Sequence, residues 1–217
     1  EIVKAHFHAM LRQIPQTEAI LNQLSEQEKQ LPYVRGIRAR LQLYRDNPTA
    51  AIPNALAAYE AIPNTRNLLL AMAAHEMADQ PDKAFELVTA FRENNPENTQ
   101  AMLLYAERLI QRDRSEAINV YRQLAEKQPE NAIALNNLAY LEHQEGMLDA
   151  AEEHARQALE IVPQAPEIAD TLAQVLIDKG ETEDAKAIYD SVMSQQVRSD
   201  EIYLNYIELL LKMDLTP

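Results

Sequence analysis

The sequence predicts an all-α protein, a right-handed solenoid of antiparallel helix pairs, and three coincident spacings carry that prediction. Ala117, Ala151 and Ala185 stand 34 residues apart. Gly146 and Gly180 keep the same interval, and so do Pro129 and Pro163. A small residue lets two helices approach closely, glycine lets the backbone turn after a helix, and proline keeps the next helix from running on. One period shared by three different structural roles marks a helix–turn–helix unit stacked on itself.

Anchoring each unit on the alanine of its second helix gives Ala19, Ala51, Ala84, Ala117, Ala151 and Ala185. Pro63, Pro96, Pro129 and Pro163 close successive units. The chain then divides into repeats at about 1–31, 32–64, 65–98, 99–131, 132–165 and 166–199, with a further first helix at 200–213. This arrangement requires thirteen helices in one elongated domain.

In the second unit Asn47-Pro48 reads as an N-cap and first helical position. Pro53 then falls past the first turn, so either that helix is distorted there or its regular part begins only near Pro53. In 99–131 the pattern is Tyr105, Ala106, Leu109, Ala117, Tyr121 and Leu124. In 132–165 Asn131 is the expected N-cap. Leu135, Leu138 and Leu141 form an apolar stripe, with Ala151, Ala155, Ala158 and Leu159 facing it. Leu172, Ala173, Leu176, Gly180, Ala185 and Tyr189 repeat this in 166–199.

A bulky then a small residue in the first helix, Gly at the turn, Ala–aromatic–Ala in the second helix and Pro at the end resemble the tetratricopeptide repeat. The resemblance runs the length of the chain and is strongest over 99–199. It departs from the family in lacking its Trp throughout and a turn glycine in the first two units. Ala134-Leu135-Asn136-Asn137-Leu138-Ala139-Tyr140, followed by Pro166-Glu167-Ile168-Ala169-Asp170-Thr171-Leu172-Ala173, also resembles the tetratricopeptide lipoprotein of bacterial exosortase and exopolysaccharide systems, and other bacterial arrays too. That narrower resemblance implies a periplasmic or envelope setting, with a cytoplasmic one left open.

Composition narrows the function classes. The net charge is −14. Residues 1–98 hold 10 basic and 12 acidic groups, whereas 99–217 hold 10 and 22. Such a surface repels nucleic acid and anionic lipid and would attract a basic partner to the C-terminal half. The plainer reading is that acidic helices keep an array soluble. With no cysteine, disulfides, thiolate metal sites and a cysteine nucleophile are excluded. No apolar run of about 18 residues is present to span a membrane. The start at Glu1 and the end at Leu215-Thr216-Pro217 read as a piece of a longer protein, so a targeting segment could lie outside it.

Chemistry is nearly absent. His6 and His8 point about 200° apart on a helix. His75-Glu76 lacks the second His of a zinc-protease helix, because position 79 is Asp. His143 and His154 have no ligand-type neighbours at helical spacing, so all the histidines read as surface or groove residues. Glu181, Glu183 and Asp184 follow Gly180 and do not form a calcium loop; they read as acidic charge at a helix N-terminus. Three glycines make no phosphate loop or nucleophile elbow. No cofactor, metal or catalytic residue is expected.

In tetratricopeptide proteins the first helices line the concave face. Carried over by position, that face holds Arg35, Arg38, Arg66, Leu69, Leu70, Ala73, Leu103, Leu104, Glu107, Asn136, Asn137, Tyr140, Asp170, Gln174, Asn205 and Glu208. Its N-terminal end is basic, its middle apolar and its C-terminal end amide and acidic. The alternative is that the Leu pairs are core residues and the asparagines merely solvated. The two-lysine carboxylate clamp of some family members is missing: the first helices of 132–145 and 166–179 offer only Lys179. The expected function is a non-catalytic scaffold for a protein or peptide partner. The competing readings are self-association through terminal helices such as Leu204, Ile207, Leu210 and Leu211, and the regulatory arm of an enzyme.

Overall fold

The computed structural model describes residues 1–194 and 199–213. The Leu215-Thr216-Pro217 end lies outside the described residues. Among those described there is no strand, and fourteen helices follow one another: α1 (Ile2–Met10), α2 (Ile14–Gln23), α3 (Glu26–Lys29), α4 (Pro32–Tyr44), α5 (Pro48–Ala61), α6 (Thr65–Met77), α7 (Pro81–Asn94), α8 (Thr99–Leu109), α9 (Arg114–Lys127), α10 (Ala132–Gln144), α11 (Leu148–Ile161), α12 (Pro166–Lys179), α13 (Thr182–Ser194) and α14 (Asp200–Lys212). Short connections make successive helices pack as antiparallel pairs. The fold is the α-solenoid type expected.

The expectation of thirteen helices falls one short. The extra element is the single turn α3, started by a capping box: the Glu28 N–H donates to the Ser25 hydroxyl at 3.3 Å, and the Ser25 N–H donates to the Glu28 carboxylate at 2.8 Å.

Local chemistry places the other boundaries. Asn47, Asn64, Asn98, Asp113, Asn131 and Ser199 each accept a backbone N–H from the first turn that follows. Pro15, Pro32, Pro48, Pro81 and Pro166 occupy first-turn positions, where a missing N–H costs nothing. Gly146 and Gly180 take left-handed backbone angles after α10 and α12. The turns without glycine use the same conformation at Arg12, Asp46 and Asp79. Aspartate tolerates that region better than most residues, because its short polar side chain bonds locally.

Two expectations need correction. Helix α5 runs from Pro48 to Ala61 with Pro53 inside it, so of the two alternatives the later start near Pro53 is excluded. Pro53 removes one N–H from its interior, but the residue is exposed, so water can reach the unpartnered carbonyl. Second, the small anchor of α2 is Thr17, which is fully buried, whereas Ala19 is exposed. Its hydroxyl would be costly there, but it donates to the Gln13 carbonyl at 2.9 Å. With Thr17 in place, the first interval becomes 34 residues instead of 32.

The helices divide into two compact units, Glu1–Tyr105 and Ala106–Pro217. The first is built on three clusters: Ala5, Leu21, Val34 and Ile37; Ala39, Ala51, Ala55 and Ala71; and Leu68, Met72, Val88 and Phe91. The second buries Leu135, Ala158 and Ile168 in one cluster and Leu172, Leu176, Ala185, Tyr189 and Leu209 in another.

Candidate functional site

In the first unit, the first helices of three successive pairs meet in a small open cleft of about 100 Å³. His6 comes from α1, Tyr33, Gly36, Ile37 and Arg40 from α4, and Arg66, Asn67 and Leu70 from α6. Ile62 and Asn64 line the approach to α6. Positions 33, 36 and 40 share a face because they are separated by three and four residues. The Asn64 cap fixes the first turn of α6, and Asn67 ties it to the preceding helix through the Ala58 and Ile62 carbonyls at 3.1 and 2.9 Å. Arg66 is thereby held at the cleft. His6 lies against Tyr33 with ring centroids 5.1 Å apart. Partial burial, reinforced by Arg40 and Arg66, pulls the His6 imidazole below its ordinary value and so favours its neutral form.

The sequence expectation found part of this cleft. Arg66 and Leu70 line it, although Leu70 also belongs to the core. Arg35 donates instead to Gln30, and Arg38 lines a different cleft beside Glu18 and Asn22 of α2 and Asn54 of α5. Tyr33, Arg40 and His6 were missed. The i, i+3, i+7 spacing of Tyr33, Gly36 and Arg40 was a signal that could have found two of them. Leu69 is exposed, Ala73 half-buried, Leu103 half-buried, and Leu104 packs on the core cluster of Leu68 and Phe91.

In the second unit, four of the expected groove residues serve buried tyrosines. The Asn137 amide donates to the Tyr121 hydroxyl at 3.0 Å. The Tyr189 hydroxyl donates to Asp170 at 2.7 Å and accepts from Gln174 at 2.9 Å. Asn205 of α14 also donates to Asp170, at 3.0 Å. Both rings are fully buried, so each hydroxyl needs such a partner. Burial first, and the hydrogen bond to Asp170 next, push the Tyr189 phenol up; burial pushes Tyr121 up to about 12. Asn136 has a buried side-chain oxygen with no partner, Tyr140 is exposed, Glu208 is exposed, and Glu107 pairs with Arg108 at 3.3 Å.

One histidine is not the surface or groove residue expected. His75 is buried and bonds Gln80 at 3.0 Å. His154 of α11 meets the fully buried Glu142 of α10 at 2.6 Å, and Arg122 of α9 reaches the same carboxylate at 2.9 Å. The hydrogen bond to Glu142 lifts the His154 imidazole above its ordinary value, against the effect of burial. Burial alone would raise Glu142, but the bonds from His154 and Arg122 outweigh it and hold the carboxyl low. Among the described residues, no group of three or more His, Asp or Glu could hold a metal ion, and no helix is long and apolar enough to cross a membrane.

The terminal helices carry apolar stripes. Val3, Phe7 and Met10 are exposed on α1, and Leu204, Ile207 and Leu211 on α14. Leu210, expected in the second stripe, is buried.

Family models described as tetratricopeptide repeat match residues 107–166 and 142–204. No curated protein matches the chain. Among solved structures, it is similar to PilF of Pseudomonas aeruginosa, at 18% identity over 88% of this chain and 87% of that one, with a TM-score of 0.68. PilW, a widely conserved type IV pilus biogenesis factor, matches at 18% identity over 85% and 87%, with a TM-score of 0.70. The C-terminal part of a TPR repeat-containing protein from Cytophaga hutchinsonii covers 98% of this chain and 80% of its own length at 12% identity, with a TM-score of 0.71. Matched repeats over 107–204 and a shared helix-pair fold lead to one conclusion: the chain is a tetratricopeptide repeat protein, with the fold of a protein–protein interaction scaffold.

Proposed function

We propose that the chain is a non-catalytic scaffold that holds a protein segment along the face of its first helices, within a bacterial envelope or export assembly. The observation that carries this reading is the cleft of the first unit, lined by α1, α4 and α6 together with Ile62 and Asn64 between α5 and α6. Such a face offers apolar contact from Ile37 and Leu70 beside polar groups that fix orientation, the usual make-up of a recognition groove. Of the residues expected from sequence, Arg66, Leu69, Leu70 and Leu103 belong to this reading in the first unit, and Asn136, Tyr140 and Glu107 in the second. The assembly context is supported by the pilus biogenesis role named for PilW.

A benzophenone amino acid at Tyr33 should crosslink a protein partner in extract of the source organism. The same probe at Glu60, exposed on the second helix α5, should not. Equal crosslinking from both positions, or none from Tyr33, would count against the groove. A second reading, association between copies through terminal helices, is favoured by the apolar stripes on α1 and α14. It calls for a concentration-dependent mass that Phe7→Ser or Leu204→Ser abolishes.

A further inference from the structure

We propose that the cleft between α2 and α5, over α4, binds a neutral saccharide through its side-chain amides. This goes beyond the protein-binding groove and stands independently of it. The cleft holds about 330 Å³, within the size range of small-molecule sites. Asn22 of α2, Gln42 of α4, Asn47 at the turn and Asn54 of α5 line it with amides, and Leu21 and Leu41 supply the apolar part of its wall. A later furrow in the same register shows what is unusual here. Arg122, Glu142 and His154 follow Asn22, Gln42 and Asn54 at one interval, 100 residues. The backbone matches too: the Asn47 N–H donates to the Gln42 carbonyl at 2.9 Å, and the Met147 N–H to the Glu142 carbonyl at 2.8 Å. In the later furrow the three side chains close on one another, with Glu142 2.9 Å from Arg122 and 2.6 Å from His154. The furrow one repeat after the first is lined instead by Ile52, Leu56 and Leu87.

Amides leave the first furrow with groups to spare. Asn54 donates to Gln42 at 3.1 Å, and the Asn47 oxygen caps α5 by accepting from Ala50 at 3.3 Å. The amide hydrogens of Gln42 and Asn47 and the Asn54 oxygen keep their bonding capacity. Asn22 and Arg38 have no ion pair or hydrogen bond among the described residues. Donors and acceptors are thus mixed within one cleft. A saccharide matches that mixture, because each hydroxyl both donates and accepts, and its C–H faces suit Leu21 and Leu41. Charge selects a neutral one. Glu18, paired with Arg45 in the wall, repels an anion, and Arg38 on the same wall repels a cation. The amides converge from α2, α4 and α5 on one cleft, whereas an extended main chain asks for a row of partners along its length.

The test follows the backbone amides of the full chain by nuclear magnetic resonance with maltotriose, cellotriose and chitotriose. At least one of these sugars should shift signals on α2, α4 and α5 around Asn22, Gln42 and Asn54, with a Kd of about 1 mM or lower. Asn22→Leu, which removes no internal bond, should weaken that sugar by about fivefold or more and keep the wild-type thermal midpoint. Asn22→Arg, Gln42→Glu and Asn54→His together copy the later furrow, so that variant should fold and lose the sugar. Gln157→Leu, exposed in the second unit, should change binding by less than about twofold. Absence of any shift with all of the sugars at about 10 mM overturns the proposal, and so does a sugar whose binding survives Asn22→Leu. Tighter binding of glucuronate than of the neutral sugars overturns the neutral class. A protein crosslinked from a benzophenone amino acid at Asn22, with no sugar shift, overturns the proposal in favour of a protein segment. The Tyr33 crosslink decides the protein-binding groove separately.

Discussion

Replacing Ala151 by leucine is expected to lower stability by about 1–3 kcal/mol, read as a fall in the denaturant midpoint. Ala151 sits on α11 and is fully buried. It belongs to the series Thr17, Ala51, Ala84, Ala117, Ala151 and Ala185, all with 1% exposure or less. Each is small because the two helices of a pair approach closely at that point, and extra methylenes would force them apart or drive side chains off rotamer. In a repeat array each pair contacts mainly its neighbours, so the loss should concentrate in α10 and α11. Gln157→Leu, exposed on the same helix, should leave the midpoint within about 0.5 kcal/mol of wild type. An unchanged midpoint for Ala151→Leu would mean that the helices do not meet at this position.

Truncating Glu142 to alanine should cost about 1.5–3 kcal/mol, the scale of hydrogen bonds to a charged group, and that cost should depend on pH. The His154 imidazole is raised, so its contribution is full below its unfolded value of 6.5 and fades as pH climbs through the raised value. The Glu142 carboxyl is lowered, so its contribution is full above 4.5 and fades as pH falls through the lowered value. Both are full between about pH 4.5 and 6.5. Arg122 on α9 and Glu153 on α11 are the other charges that act on the pair. The stability gap between wild type and Glu142→Ala should therefore be widest in that window and narrow on both sides, as measured by thermal melts across pH. A gap independent of pH would show that Glu142 acts only by filling space.

What the sequence made legible was the chemistry of helix ends and small residues. Asn47, Asn131, Gly146 and Gly180 all do the work their types suggest. The first pair was harder, because a buried Thr17 and a left-handed Arg12 replace the alanine and glycine that mark later pairs. The narrower family resemblance has a packing origin: Ala134, Leu135, Leu138, Ala139, Ile168, Leu172 and Ala173 are all buried. Those residues report how helices stack, and hence say little about a partner. The candidate site was the least legible part. Family position points to Arg35 and Arg38 on α4, but Tyr33, Gly36 and Arg40 are the residues of that helix that line the cleft. Asn137, Asp170, Gln174 and Asn205 look like ligand groups in sequence. Their partners, the hydroxyls of Tyr121 and Tyr189, come from second helices 15 to 19 residues away in three of the four cases, and Asn205 joins through Asp170.

The most direct test is the footprint of the protein partner crosslinked through Tyr33 on the backbone amides of the full chain, followed by nuclear magnetic resonance. The expected result is a set of shift changes gathered on α1, α4 and α6 around His6, Tyr33, Arg40 and Arg66, lost in Arg66→Gln. Changes gathered instead on the second helices α5 and α7, or on the apolar stripe of α14, would contradict a segment held by the first-helix face.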